Sequence, residues 1–217
     1  ASINLGDVHE GIFKIYEPVD KKFIKRYVAK EDCGGDLYKC GWTRNGATFL
    51  TNVSYGIEDK ENRKFYNYDL KTNKKTSTHE SFLKLIRYLN GSNVDKEGLS
   101  EYIDMDYFLR FSAVSYFVGN PGDMRNNYNN YYIYFLKSSN KMIIIPYDND
   151  RCFGITAQYN PSGDAMTGVK WESERAVGNG GLPQENPLVR YTITRIGFFT
   201  EEFKAELDTV INALRED

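Results

Sequence analysis

The sequence predicts an α+β fold, and three observations carry the prediction. Apolar residues recur at helical spacing over 80–89 and 104–118, and a strand, turn and strand pattern runs from Tyr131 to Ile145. The 217 residues also include 41% hydrophobic and 15% aromatic residues, which supply one sizeable core and argue against disorder. That length suits a single domain over 1–217, with small-lobe elements in 1–75 and a larger lobe in 76–217.

The opening residues Ala1 to Leu5 are expected to enter a strand almost at once. From Gly11 to Glu17, Phe13 and Ile15 alternate with Ile12, Lys14 and Tyr16, which predicts a strand ended by Pro18. Asp20 is placed to cap a short helix with Phe23, Ile24 and Tyr27 on one side, before Cys33-Gly34-Gly35 breaks the chain. A second strand is expected over Asp36 to Cys40. Trp42 to Lys75 is polar and weakly patterned, so it is assigned to the periphery, with Lys64 to Tyr68 its best strand candidate.

Ser77-Thr78-His79-Glu80 has the pattern of a capping box. It introduces Phe82, Leu83, Leu85, Ile86 and Leu89, with Asn90-Gly91 as the stop. Asp104 opens a helix to Val118 whose Met105, Phe108, Leu109, Val114, Phe117 and Val118 are expected to face inward, stopped by Gly119-Asn120-Pro121-Gly122. Tyr131 to Leu136 and Lys141 to Ile145 read as strands joined by a hairpin turn at Lys137-Ser138-Ser139-Asn140. Residues 158–186 lack periodicity and are expected to form a lid or binding loop. Closing helices are predicted from Pro187 to near Arg195 and from Thr200 to near Leu214.

Composition excludes several functions. A formal charge of −2 gives no positive field for nucleic acid. No run of 18 apolar residues predicts a membrane span, and Ala1 to Asp7 lack the features of a signal peptide, which leaves open a leader already removed. Cys33, Cys40 and Cys152 form neither a zinc set nor a disulfide framework; Cys33 and Cys40 are read as two free thiols, with a bridge between them as the alternative if the protein is exported. Two histidines in unrelated contexts do not make a hydrolase triad.

The residues that carry chemistry run from Asp123 to Asp150. Phosphoryl transfer needs a group that orients the attacking hydroxyl, oxygen ligands for Mg²⁺ or Mn²⁺, and a cation on the nucleotide phosphates. Asp123 sits on a tight loop after a long helix, Asn130 at the entrance of the hairpin and Asp148 and Asp150 at its exit, so the hairpin returns Asn130 and Asp148 to the same end. Asn129 is the rival of Asn130. Against this stand the ordinary readings: Asp148-Asn149-Asp150 as a turn, Asp123 as a loop acid, Lys39 as an edge lysine. A calcium loop of EF-hand type is excluded, because Cys152 stands where an acid is needed and no glutamate occupies the twelfth position.

Asn130-Tyr131-Tyr132-Ile133-Tyr134, then Pro146-Tyr147-Asp148-Asn149-Asp150 and Phe153-Gly154, resemble the signature of the CotH family, named for spore coat protein H. Gly11 to Glu17 with Val19-Asp20 and Phe23-Ile24, Leu37-Tyr38-Lys39, and Asn186-Pro187-Leu188 resemble further family segments in the same order. The resemblance implies an atypical, two-lobed protein-kinase-like fold with its amino-terminal lobe abridged. It also implies a secreted or spore-surface enzyme that uses ATP with Mg²⁺ or Mn²⁺ to phosphorylate serine on coat or extracellular proteins. Carried over, Lys39 touches the nucleotide phosphates, Tyr147 replaces the family's tryptophan beside the adenine, Asp123 positions the acceptor hydroxyl, and Asn130 and Asp148 hold metal with Asp150 assisting. Glu17 is a candidate to pair with a lysine across the cleft. The rival reading from another class is a non-catalytic surface or adhesion module that binds calcium.

Overall fold

A computed structural model describes residues 2–5, 8–12, 16–41, 47, 49–50, 67–120, 123–124, 128–150, 152–153 and 186–215. Strand β1 (Ser2–Leu5) pairs antiparallel with β2 (Val8–Ile12) as a separate two-stranded sheet. The strand expected over 11–17 is therefore earlier in the chain. Tyr16 and Glu17 lie outside any strand, residues 13–15 lie outside the described residues, and Glu17 accepts hydrogen bonds from Arg26 Nη1 at 2.5 Å and Tyr27 Oη at 2.9 Å. Those contacts tie Glu17 to the next helix, where its charged partner is Arg26.

Helix α1 (Lys21–Tyr27) starts where expected, because the Asp20 carboxylate accepts from the Lys22 and Phe23 amides. Ile24 is buried, whereas Tyr27 is exposed and meets Phe23 with tilted rings, at 4.6 Å between centroids. Strand β3 (Leu37–Cys40) is the centre of the main sheet, whose order is β4, β3, β5, β6, all antiparallel. Its neighbours are β4 (Tyr68–Leu70) and the hairpin of β5 (Tyr131–Phe135) and β6 (Met142–Pro146).

The sheet is covered on both faces, which is why all five residues of β5 are buried. Tyr38, Cys40, Tyr131, Ile133, Phe135, Met142 and Ile144 face the larger core. Onto that core pack α2 (Glu80–Leu89), α3 (Lys96–Tyr102), α4 (Met105–Phe117), α5 (Pro187–Thr192) and α6 (Thr200–Ala213). Leu37, Tyr132, Tyr134, Ile143 and Ile145 face a smaller cluster closed by Val19 and Ile24. The period-2 alternation of strands thus divides one hairpin between two cores.

Three expectations need correction. The segment from Trp42 to Lys75 is not wholly peripheral, since Ala47, Phe49 and Tyr68 are fully buried in the larger core. The Phe49 amide donates to Tyr68 Oη, its carbonyl accepts from Asn90 Nδ2, and Tyr131 Oη donates to the Ala47 carbonyl, so polar backbone is buried with its partners. Ser77 does not form a capping box: α2 begins after His79, which holds φ 57° and makes no side-chain cap. Ser77 Oγ instead donates to Asp36 and accepts from the His79 amide. Val114, expected inside, is exposed, and its place toward the core is taken by Ser112, Ala113, Ser115 and Tyr116.

Helix α3 was not foreseen. It follows from Asp95, whose carboxylate accepts from the Gly98 amide at 2.7 Å, and from Leu99 as its one fully buried residue. The three cysteines are free, with Cys40 and Cys152 buried, in accord with the thiol reading. The lid expected over 158–186 lies outside the described residues, apart from Asn186 at its end.

Candidate functional site

Register builds the site. Lys39 on β3 is paired with Asp69 on β4 and with Tyr132 on β5, and Tyr132 in turn with Ile145 on β6. These four side chains therefore share one row on the face of the smaller cluster, and Tyr147 continues that face two residues after Ile145. The Lys39 ammonium lies 4.4 Å from the ring centroid of Tyr147 and 5.9 Å from that of Tyr132, while the two rings meet edge-on at 5.3 Å. Lysine over an aromatic face is attracted by the ring's negative π cloud. Burial first, then the neighbouring Tyr147 and the charge of Asp69, push the Tyr132 phenol up to about 12.

One residue pair beyond that row the sheet ends, and there stand Asn130 and Asp148. Asn130 Nδ2 reaches the Asp148 carbonyl at 3.5 Å, and Asn129 Nδ2 donates to Asn130 Oδ1 at 2.8 Å. Asn130 and Asp148 hold φ of 59° and 54°, a left-handed conformation in which Asn and Asp are enriched among non-glycine residues. The hairpin brings Asn130 beside the Asp148 backbone, strand pairing sets Lys39 beside Tyr132 and Tyr147, and Asn129 supports Asn130. Asp150 is exposed on the turn that follows.

Two hydrogen bonds tie this turn to the end of α4. Asn120 Nδ2 donates to Asn149 Oδ1 at 2.7 Å, and the Phe153 amide donates to the Val118 carbonyl at 2.7 Å. Asp123, three residues after Asn120, is directed inward: it is 1% exposed, its Oδ2 accepts from Ser115 Oγ at 3.0 Å, and its carbonyl accepts from the Tyr128 amide. Its carboxylate also lies close enough to Tyr131 to help burial raise that phenol. Asn186 explains the Asn-Pro-Leu segment, for it caps α5 through the Leu188 amide and donates to the carbonyl of Met124, next to Asp123. Among the contacts of the described residues, none joins the Asp123 carboxylate directly to Asn130, Asp148 or Asp150.

The side-chain oxygens at this end belong to Asn130, Asp148 and Asp150, a hard donor type of the kind Mg²⁺ or Mn²⁺ takes, and among the described residues no three His, Cys, Asp or Glu side chains gather to hold an ion. Sequence reasoning missed Tyr132, Asp69, Lys71, Ser115, Asn120 and Asn149. Strand alternation alone could have put Tyr132 beside Lys39 once the two strands were paired; the others depend on loop contacts or on a short strand without a pattern.

Fold and site together define a mixed domain of helices and antiparallel sheet with a polar cluster at one sheet end. The family is then set by the whole sequence: the family model described as CotH kinase protein matches residues 1–217. The chain belongs to the CotH kinase family, and kinase-like function is what that membership indicates. A search of curated proteins gave no match. Among the described residues no helix is long and apolar enough to cross a membrane.

Proposed function

We propose that this chain transfers the terminal phosphoryl group of ATP to serine hydroxyls of coat or other extracellular proteins, in a two-lobed kinase-like fold. The observation that carries this reading is the register that gathers Lys39, Tyr147, Asn130 and Asp148 at one sheet end. Lys39 binds the nucleotide phosphates, and Tyr147 gives its free ring face to the base. Asn130 and Asp148 hold Mg²⁺ or Mn²⁺ with Asp150 assisting; the metal, when bound, neutralises charge on the phosphates. Asp123 orients the acceptor hydroxyl and takes its proton, with Ser115 Oγ standing where that hydroxyl would donate. Rate enhancement comes from positioning and charge neutralisation.

Incubation with labelled ATP and Mn²⁺, followed by a search for label on the chain and on serine-rich coat proteins, tests the reading. Transfer lost in Asp148→Asn supports it; unchanged transfer refutes the site. The rival calcium module calls for six to eight oxygen ligands around one ion, roughly, whereas a nucleotide-bound Mg²⁺ needs only one or two carboxylates. Among the described residues no three His, Cys, Asp or Glu side chains gather to hold an ion. Stabilisation by ATP only with Mg²⁺ or Mn²⁺ supports the kinase, and stabilisation by Ca²⁺ alone, without ATP, supports the module.

A further inference from the structure

We infer that Lys71 keeps Lys39 available for phosphate by holding Asp69, the one acid placed directly across from Lys39. The inference rests on the proposed role of Lys39. Asp69 and Lys39 are partners in the antiparallel pair of β3 and β4, so their side chains leave the same face about 5 Å apart at Cβ. That spacing suits an ion pair, yet Lys39 rests on Tyr147, and Asp69 is bound by Lys71 Nζ.

Lys71 is fixed for this by its backbone, whose amide donates to the Leu37 carbonyl at 2.7 Å and so extends the ladder past the end of β4. Two residues beyond Asp69, it returns to the same face. Both charged groups of this pair are about one-third exposed, at 31% each, enough shielding for the contact to persist and too little to isolate it from Lys39. Tyrosine faces hold an ammonium weakly compared with a carboxylate, and phosphate oxygens readily draw it away from them. A lysine locked to Asp69 would have to break an ion pair first. Lys71 is therefore a positioning residue: it contacts neither nucleotide nor metal, and it acts through Asp69.

The test measures ATP affinity in the presence of Mn²⁺ by calorimetry on the full chain. Lys71→Met should raise the Kd about threefold, as expected if Asp69, about one-third exposed, then holds Lys39 about two-thirds of the time. The double variant Lys71→Met with Asp69→Asn should return to the parent value, and Lys74→Met, an exposed lysine on the following turn, should leave the Kd unchanged. Lys39→Met should lose about tenfold or more, as for a charged hydrogen bond. If Lys39→Met binds like the parent, the phosphate role of Lys39 fails and this inference with it. If Lys39→Met is weakened but Lys71→Met matches the parent, matches Lys74→Met, or is not rescued by Asp69→Asn, the competition is overturned while the role of Lys39 stands.

Discussion

The ammonium of Lys39 sits 4.4 Å above the ring of Tyr147, although Tyr147 follows β6, a strand not adjacent to β3, and the two residues are more than a hundred positions apart in the chain. The ring thus gives the lysine a resting surface. Tyr147→Trp should keep nucleotide affinity near the parent, because indole offers the stronger cation–π surface. Tyr147→Ala should raise the KM for ATP about threefold to tenfold with a smaller effect on kcat, since it removes a binding contact and a rest position for Lys39. Steady-state kinetics on the three proteins separates the outcomes; a kcat effect alone would assign Tyr147 elsewhere.

Asp148 is best tested by asparagine. Its φ of 54° suits Asp and Asn, whereas alanine there adds about 1 kcal/mol of backbone strain and confuses stability with function. Asp148→Asn should abolish phosphotransfer while changing stability by less than about 0.5 kcal/mol, as expected of a partly exposed side chain at a loop. Thermal unfolding beside a radiolabel assay reads both. A large fall in Tm with transfer intact would make Asp148 a structural turn residue.

Two adjacent glycines should behave in opposite ways. A Cβ on Gly35 would fall 1.7 Å from the Phe135 carbonyl oxygen, a backbone atom that β5 pairing holds in place. Gly35→Ala should therefore cost more than about 3 kcal/mol, or prevent folding. Gly34 holds φ 99° with nothing within 4 Å of a Cβ, so Gly34→Ala meets backbone strain alone and should cost about 1 kcal/mol. Denaturant midpoints for the pair check the contrast.

The start of α1 carries a pH dependence whose sign follows from its cap. Hydrogen bonds from the Phe23 amide, then the Lys22 amide, hold the Asp20 carboxyl below its ordinary value. A depressed folded value means that the cap's contribution is present above the unfolded pKa, about 3.9, and is lost as pH falls through the lower folded value. The protection of the Lys22 and Phe23 amides, taken relative to the intrinsic exchange rate at each pH, should fall below about pH 4 and stay flat above about pH 5. Asp20→Asn, which caps without titrating, should remove the acid step; a step that persists would point to another group.

The α+β class, the hairpin and five of the six helices were legible because their patterns are local. Ile133 and Ile144 alternate with their neighbours, and Phe82, Leu85, Ile86 and Leu89 repeat at helical spacing, so the period alone finds them. Phe49 and Tyr68 were not legible as core, because Phe49 is a single aromatic in a polar stretch, Tyr68 ends a short aromatic run with no clear period, and the burial of both depends on partners elsewhere in the chain, Phe82 among them. The pairing of Asn130 with Asp148 followed from hairpin arithmetic. The place of Lys39 beside them needs a third strand in register, which no local pattern encodes. The burial of Asp123 was hidden for a different reason: its partner, Ser115, is a polar residue on the inner side of α4, where helical periodicity predicts an apolar one.

That contact makes Asp123 and Ser115 separable. Removing the serine hydroxyl leaves a buried carboxylate one donor short, so Ser115→Ala should destabilise by about 1–3 kcal/mol. For a chain of this length that lowers Tm by about 2–4 °C per kcal/mol. Phosphotransfer should survive, because the carboxylate remains to meet an acceptor hydroxyl. Asp123→Asn reverses the pattern: the amide oxygen can still accept from Ser115, which preserves much of the fold, but an amide takes no proton from the attacking serine. Transfer to a coat-protein substrate should then fall by about 100-fold or more. Parent-like transfer in Asp123→Asn, with a loss in Ser115→Ala that tracks Tm alone, would reduce Asp123 to a buried structural acid and move the acceptor's orienting group to another residue.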